Sequence, residues 1–146
     1  MPYIITPMTH EHIPQIAALE LLCFAVPWSK DAFANEIKNN LASYNVMLDG
    51  EKVIGYYGLW HVLDEGHITN IAIHPDYRRK GLGSEMLSHM INNAELVCIK
   101  HLTLEVRASN TAARALYSKH GFIPAGIRHK YYSNNNEDAV IMNKTF

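Results

Sequence analysis

The sequence predicts a mixed α/β fold, with a central sheet of about six to seven strands flanked by about four helices. One observation is the Asp49-Gly50 pair between two strand-like runs, which is the strongest short signal for a β-hairpin. The others are two successive strand–loop–helix units, whose strands begin near Ile68 and His101. Hairpins give antiparallel strands and strand–helix units give parallel ones, so we expect both kinds in one sheet.

Each element follows from the spacing of apolar residues and from the residues that begin and end helices. Thr9 caps a first helix, whose apolar positions are Ile13, Ile16, Ala17 and Leu21. Ser29 caps a second helix over 29–39, and a third is predicted over 83–97. Ser109 or Asn110 caps a fourth, which ends at Gly121. Strands are predicted over 3–6, 44–48, 52–63, 68–74, 101–106, 122–128 and 139–143.

Length and charge limit the class of protein. The chain has 146 residues, and we expect a single domain over 1–146 because domains usually have ~100–200 residues. With 48% hydrophobic and 18% charged residues, the composition excludes a mainly disordered chain. Thirteen basic and fourteen acidic residues give a net charge of −1. No global positive field attracts nucleic acid or an anionic membrane, so we expect neither as a partner.

Cysteine and histidine usage indicates the compartment and the absence of a metal. Cys23 and Cys98 stand alone, and two thiols are too few to crosslink a secreted domain of this size. The nine histidines lack the paired spacings of zinc ligands, so we expect no metal cofactor. The sequence has neither a signal-peptide pattern nor an apolar run of ~20 residues. These features predict a cytoplasmic protein.

A basic loop with two glycines lies between a predicted strand and a predicted helix. It reads Arg78-Arg79-Lys80-Gly81-Leu82-Gly83-Ser84. Backbone N–H groups and the positive end of a helix can bind an anion at such a loop, and glycine lets the backbone approach it. A P-loop would need Gly-Lys-Ser/Thr at its end, and a Rossmann fingerprint would need a third glycine where Met86 stands. The residues alone leave two interpretations, an anion-binding loop and a basic turn.

The run from Ile68 to Gly83 resembles the acyl-CoA motif of the GNAT superfamily of N-acetyltransferases, whose loop reads Gln/Arg-x-x-Gly-x-Gly/Ala. The resemblance implies the GNAT acyltransferase fold, in which two central strands splay apart, and it implies acetyl-CoA as the acetyl donor. It implies that the loop from Arg78 to Ser84 holds the diphosphate of coenzyme A. It also implies that the backbone of Ile71, Ala72 and Ile73 pairs with the pantetheine arm and supplies the oxyanion donor.

A second stretch, from Leu104 to Tyr117 and followed by Gly121-Phe122, looks like the second half-motif of the same family. It is similar to one branch in particular, the bacterial enzymes that acetylate the N-terminal alanine of the eighteenth small-subunit ribosomal protein. The terminal pattern Arg128-x-x-Tyr131-Tyr132 supports that branch. The resemblance therefore implies a protein N-terminus as the acceptor and a ribosomal protein as the partner.

Acetyl transfer from a thioester needs a neutral amine, a site for the tetrahedral oxyanion and a proton for the leaving thiolate. Strand alternation places Glu105 opposite the aliphatic row, where it is either a solvated carboxylate paired with Arg107 or another neighbour or, as the resemblance implies, the general base acting through water. Tyr117 is either a core aromatic beside Leu116 or, by resemblance, the general acid in contact with coenzyme A. Asn110 caps its helix and, by resemblance, also contacts the cofactor.

Two aromatic segments are candidates for substrate binding. Phe24, Pro27 and Trp28 lie in the first interhelical loop, and Tyr131 and Tyr132 lie in the last loop. In related N-terminal acetyltransferases these loops clamp the first residues of the substrate. Ordinary burial is the alternative, and strand alternation would point the two tyrosines to opposite faces. Three functions stay open: an N-terminal acetyltransferase, an acetyltransferase for lysine side chains or small amines, and a CoA-binding module without turnover.

Overall fold

A seven-stranded sheet forms the centre of the computed structural model, which describes residues 3–146. Its strands are β1 (Ile4–Pro7), β2 (Ala42–Asp49), β3 (Lys52–Val62), β4 (Glu65–Ile73), β5 (His101–Arg107), β6 (Ile123–Tyr132) and β7 (Glu137–Thr145). The helices are α1 (Ile13–Cys23), α2 (Lys30–Lys38), α3 (Leu82–Leu96) and α4 (Thr111–Lys119). The strands lie in the order β1-β2-β3-β4-β5-β7-β6. The predicted mixed fold is thus confirmed.

The first helix differs from the prediction in where it begins and in which face it buries. Thr9 precedes a short 3-10 turn, and α1 begins only at Ile13, with a proline in its first turn. Leu21 is 73% exposed, so its placement in the buried stripe was wrong. At 3.6 residues per turn Glu20 lies above Ile13, whereas Leu21 is rotated toward solvent. The buried face of α1 therefore carries a carboxylate.

Two hairpins are longer than their sequence patterns predict. The Asp49-Gly50 turn forms as predicted, with Gly50 in the left-handed region at φ 60°. β4 begins at Glu65 instead of Ile68, because Glu65 already pairs with Val62 across a tight turn. The last hairpin extends β6 to Tyr132, which pairs with Glu137. The two tyrosines assigned to the last loop therefore lie at the end of a strand.

The helices cover the two faces of the sheet and create two separate cores. On one face, α3 and α4 pack against the aliphatic row of β5, which consists of Leu102, Leu104 and Val106. On the other face, α1 and α2 bury Phe33, Tyr44 and Tyr56. The predicted alternation along β5 is confirmed, and it directs Glu105 away from the α3–α4 core. Within residues 3–146, no helix is both long and apolar enough to cross a membrane.

Candidate active site

The middle of the sheet opens where β4 and β5 separate. These parallel strands pair only from Glu65 opposite His101 to His67 opposite Thr103, although both continue for several residues beyond. β4 keeps its pairing with β3 as far as Ile73, and β5 keeps its pairing with β7 as far as Arg107. Backbone groups of 71–73 that face β5 therefore lack a ladder partner among the described residues. An amide-bearing chain fits such a gap, because buried backbone groups require partners.

The loop that precedes α3 has the geometry of an anion cradle. Arg79 and Gly81 both adopt left-handed backbone conformations, with φ 63° and φ 76°. Gly81 stands at the N-terminal cap of α3, and a Cβ there would meet nothing within 4 Å. Alternating left-handed residues turn successive N–H groups to one side, and the first N–H groups of a helix have no partner within it. The left-handed Arg79 thus lies in a loop whose backbone can bind an anion.

Three residues of this loop region are held by other elements. Arg78 Nε donates to the Ile73 carbonyl oxygen over 3.2 Å, so its side chain lies against the end of β4. Ser84 Oγ lies 2.7 Å from His120 Nε2 at the end of α4, so its side chain is held against that helix end. A Cβ on Gly83 would come within 3.3 Å of Leu116 Cδ2. A side chain at position 83 would therefore require Leu116 to shift by a few tenths of an ångström.

Glu105 lies just beyond the last paired residues of β4 and β5. Its Oε2 is 2.7 Å from His67 Nε2, and its Oε1 is 3.5 Å from Arg128 Nε. The hydrogen bond from His67 is the main reason that the pKa of Glu105 lies below its usual range, against the opposing effect of burial. Arg107, which the sequence indicated as a possible partner of Glu105, instead pairs with Glu137 over 3.2 Å. Glu105 is therefore an ionised, oriented carboxylate.

Tyr117, a residue of α4, lies on the opposite side of the sheet, in the core that α3 and α4 form with the sheet. Only 6% of it is exposed, and its ring centroid is 5.8 Å from that of Phe122. Burial raises the pKa of its phenol, which forms no hydrogen bond with another described residue. Tyr117 is therefore a protonated donor over the whole neutral range, with its hydroxyl left for a ligand. Asn110 caps α4, because its Oδ1 accepts from Ala113 N over 3.2 Å.

The loop between α1 and α2 is fixed by a buried carboxylate that the sequence did not indicate. Glu20 accepts hydrogen bonds from the Tyr56 hydroxyl over 2.5 Å and from Trp28 N over 2.9 Å. Trp28 packs against Phe33, with ring centroids 5.5 Å apart. Phe24 and Pro27 lie beside it in the same loop, and Phe24 is exposed. The loop is thus held rigidly against the α1–α2 core.

The two tyrosines at the end of β6 contact each other. Their ring centroids are 5.1 Å apart, so the expectation that Tyr131 and Tyr132 point to opposite faces was wrong. The cause is Lys130, which adopts a left-handed conformation at φ 53° where the register of β6 shifts. Tyr132 stacks on the Arg107 guanidinium at 4.0 Å, whereas Tyr131 is exposed near Arg128. Both aromatic rings therefore border the side of the sheet on which Glu105 lies.

Comparison with known proteins identifies this arrangement. Residues 13–122 match the model of the acetyltransferase (GNAT) family. The chain belongs to the GNAT acetyltransferase family. Members of this family use acetyl-CoA, so the gap and the anion cradle are the parts of the chain that fit its pantetheine and diphosphate. Among residues 3–146 we find no group of three or more histidine, cysteine or acidic side chains placed to hold a metal ion.

Two relatives and one solved structure place the chain within this family, and a second solved structure shares its fold. It is 41% identical over 136 residues to a putative ribosomal protein bS18-alanine N-acetyltransferase of Bacillus subtilis, covering 92% of this chain and 90% of the relative. It is 40% identical over 132 residues to the bS18-alanine N-acetyltransferase of Escherichia coli K12, covering 89% and 88%. The crystal structure of the Escherichia coli ribosomal-protein-S18-alanine N-acetyltransferase superposes with a TM-score of 0.91, at 36% identity over 99% and 94% of the chains. A Thermoplasma acidophilum N-acetyltransferase in complex with coenzyme A shares the fold, with a TM-score of 0.86 at 17% identity over the full length of both chains.

Proposed function

We propose that this acetyltransferase moves the acetyl group of acetyl-CoA to the α-amine of the N-terminal alanine of ribosomal protein bS18. The acceptor is the one named for relatives that are 40% identical over almost the whole chain. The observation that supports the chemistry is the gap between β4 and β5, because Glu105 lies on one face of the sheet next to the last paired residues and Tyr117 lies in the core on the other face. A ribosomal acceptor places the reaction in the cytoplasm.

The mechanism is direct attack of the amine on the thioester carbonyl. Glu105 accepts the proton that the amine loses, and Tyr117 donates to the departing thiolate of coenzyme A. The diphosphate is held by the backbone of 79–84, and the pantetheine arm by the backbone of 71–73. A backbone N–H of the 71–73 segment faces the developing oxyanion, as the unpaired edge of β4 allows. Asn110 borders the cofactor from the start of α4.

The low pKa of Glu105 favours an N-terminal amine over a lysine. An α-amine has a pKa of ~7.7–8.0 and a lysine side chain ~10.4, a difference of about 2.5 units. At 1.36 kcal/mol per unit, removing the lysine proton costs about 3.4 kcal/mol more. A carboxylate whose pKa is lowered by His67 is a weak proton acceptor, so it suits the amine that is already partly neutral.

Two acceptor peptides test this proposal. Both carry the N-terminal sequence of bS18 and an internal lysine, and one of them has its α-amine blocked by formylation. We expect intact-mass analysis to show a single acetyl group on the peptide with the unmodified amine and none on the blocked peptide. Acetylation of the blocked peptide at comparable rates would identify a lysine acetyltransferase instead. Mass spectrometry of ribosomal proteins from cells with and without the gene then shows whether bS18 is the acceptor in the cell.

The catalytic assignments are tested by Glu105→Gln with acetyl-CoA affinity measured in parallel. We expect kcat to fall roughly 10²-fold or more, the contribution typical of a positioned base, while calorimetric affinity for acetyl-CoA stays unchanged. A wild-type kcat in this variant would remove Glu105 from the mechanism. Loss of turnover together with retained binding also excludes the third function, a module that only binds coenzyme A.

A further inference from the structure

Glu105 stands at the apex of the gap, where its strand no longer pairs with β4. The last residue pair that joins β4 to β5 is His67 with Thr103, two residues before Glu105. From that point β5 is held only on its β7 side, where Glu105 pairs with Ile141. A glutamate has several rotatable bonds, and its position on the strand does not select among their rotamers. Something else must hold the carboxylate in one orientation.

The group that does so is the imidazole of His67. Its Nε2 lies 2.7 Å from Glu105 Oε2, the usual length of a charge-assisted hydrogen bond. Because Glu105 is ionised, Nε2 carries the proton and donates, and the carboxylate in turn selects this tautomer of the ring. Glu105 is 13% exposed and His67 35% exposed, so the bond is partly shielded from water. It is the last side-chain link across the two strands before they separate.

Arg128 is a poorer candidate for the same task. Its Nε is 3.5 Å from Oε1, longer than a charge-assisted hydrogen bond, and its side chain is 55% exposed. Exposed ion pairs of this kind contribute little and are screened by salt. Arg128 also lies 5.9 Å from the ring of Tyr131, so it stands on the side from which the acceptor arrives. Oε1 is therefore the oxygen whose present partner is easily displaced.

We propose that His67 is the positioning residue for Glu105: it fixes Oε2, so that Oε1 is left to meet the incoming amine. The proposal rests on the role of Glu105 in the proposed function. His67 neither touches the reacting atoms nor takes up the proton, so its effect on turnover passes entirely through Glu105. Replacing the ring by a group without a donor frees the carboxylate to rotate, and misplacement of a catalytic group by about 1 Å lowers rates about 10²-fold.

The test compares His67→Ala with His67→Gln, which keeps an N–H donor. We expect His67→Ala to lower kcat roughly 10- to 100-fold, with KM for acetyl-CoA unchanged. We expect His67→Gln to recover most of the lost kcat. The matched control is His101→Ala, which removes an exposed histidine of β5 that contacts Thr145, and it should leave kcat unchanged. A wild-type kcat in His67→Ala, or a His67→Gln variant as slow as His67→Ala, would overturn the proposal.

A double-mutant cycle separates positioning from a general structural effect. If His67 acts only through Glu105, adding His67→Ala to Glu105→Gln lowers kcat no further. A full additional loss in the double variant would show that His67 acts elsewhere, and the proposal would be wrong even though Glu105 is catalytic. If Glu105→Gln itself retains wild-type turnover, the result refutes the proposed mechanism rather than the role of His67 alone. Melting temperatures of all variants within a few degrees of wild type confirm that the comparison is made between folded proteins.

Discussion

Replacing Tyr117 by phenylalanine should lower activity and leave stability nearly unchanged. The substitution removes one hydroxyl group and keeps the ring that packs against Phe122 at 5.8 Å. The hydroxyl forms no hydrogen bond with another described residue, so no internal bond is lost. Tyr117 is only 6% exposed, but its hydroxyl oxygen is not one of the buried side-chain atoms that lack a partner, so it keeps contact with solvent. Phenylalanine therefore changes the stability little.

The expected effects on stability and on activity differ in size. We expect the free energy of unfolding to change by less than about 1 kcal/mol, which shifts the melting temperature by no more than about 4 °C in a chain of this size. We expect kcat to fall about 10²-fold or more, equivalent to about 2.7 kcal/mol of lost transition-state stabilisation. A hydroxyl that adds little to stability and accelerates the reaction is kept for its function.

The assay pairs steady-state kinetics and urea unfolding of Tyr117→Phe with those of Tyr57→Phe. Tyr57 is another buried tyrosine of the same core, but its hydroxyl accepts a hydrogen bond from Asn93 and lies 3.0 Å from His89 Nδ1. The control should lose about 1 kcal/mol of stability and keep wild-type kcat. If Tyr117→Phe unfolds at lower urea than wild type and turns over normally, the hydroxyl has a structural role and the assignment as acid is wrong.

Three further predictions concern the cradle, the substrate loop and the last hairpin. Gly83→Val should weaken acetyl-CoA binding at least about tenfold by calorimetry, because a branched side chain in the first turn of α3 blocks the approach of the diphosphate to the backbone; unchanged affinity would place the diphosphate elsewhere. Glu20→Leu should destabilise the protein by about 1–3 kcal/mol for each donor left unpaired. It should also raise KM for the peptide more than KM for acetyl-CoA, and an equal rise in both would contradict a role in the substrate loop. Hydrogen bonds from Ser109 and Arg107 lower the pKa of Glu137 to about 2, so its contribution to stability is complete above the ordinary pKa near 4.5 and is lost as the pH falls toward 2. The melting temperatures of wild type and Glu137→Gln should therefore converge over that interval, and a constant difference would refute the assignment.

Features that depend on a few neighbouring residues were predictable from the sequence. Gly50 and Gly121 both have the positive φ expected of a hairpin turn and a helix end. Ser29 and Asn110 both accept a backbone N–H at the start of their helices, which resolves the choice between Ser109 and Asn110 as the cap. Such features succeed because turn and cap chemistry is decided within about four residues of chain.

Features that depend on distant pairing were not predictable. His67 and Glu105 are 38 positions apart, and only the register of β4 against β5 brings them together. The contact between Tyr131 and Tyr132 depends on Lys130 taking a conformation that a lysine rarely adopts, at a register shift set by β7. The burial of Glu20 depends on a hydrogen bond from Tyr56, a residue of β3. In each case the deciding partner comes from an element that local patterns do not identify.

The two faces of the sheet supply the difference in acidity that acid–base catalysis requires. On the α3–α4 side, an apolar core raises the pKa of Tyr117 and keeps its proton in place. On the other side, a hydrogen bond from His67 lowers the pKa of Glu105 and keeps it ionised. Environments that drive the pKa values of two titratable groups apart define which group donates a proton and which group accepts one. An unbroken sheet would separate these two environments completely, so the proposed mechanism requires the divergence of β4 and β5.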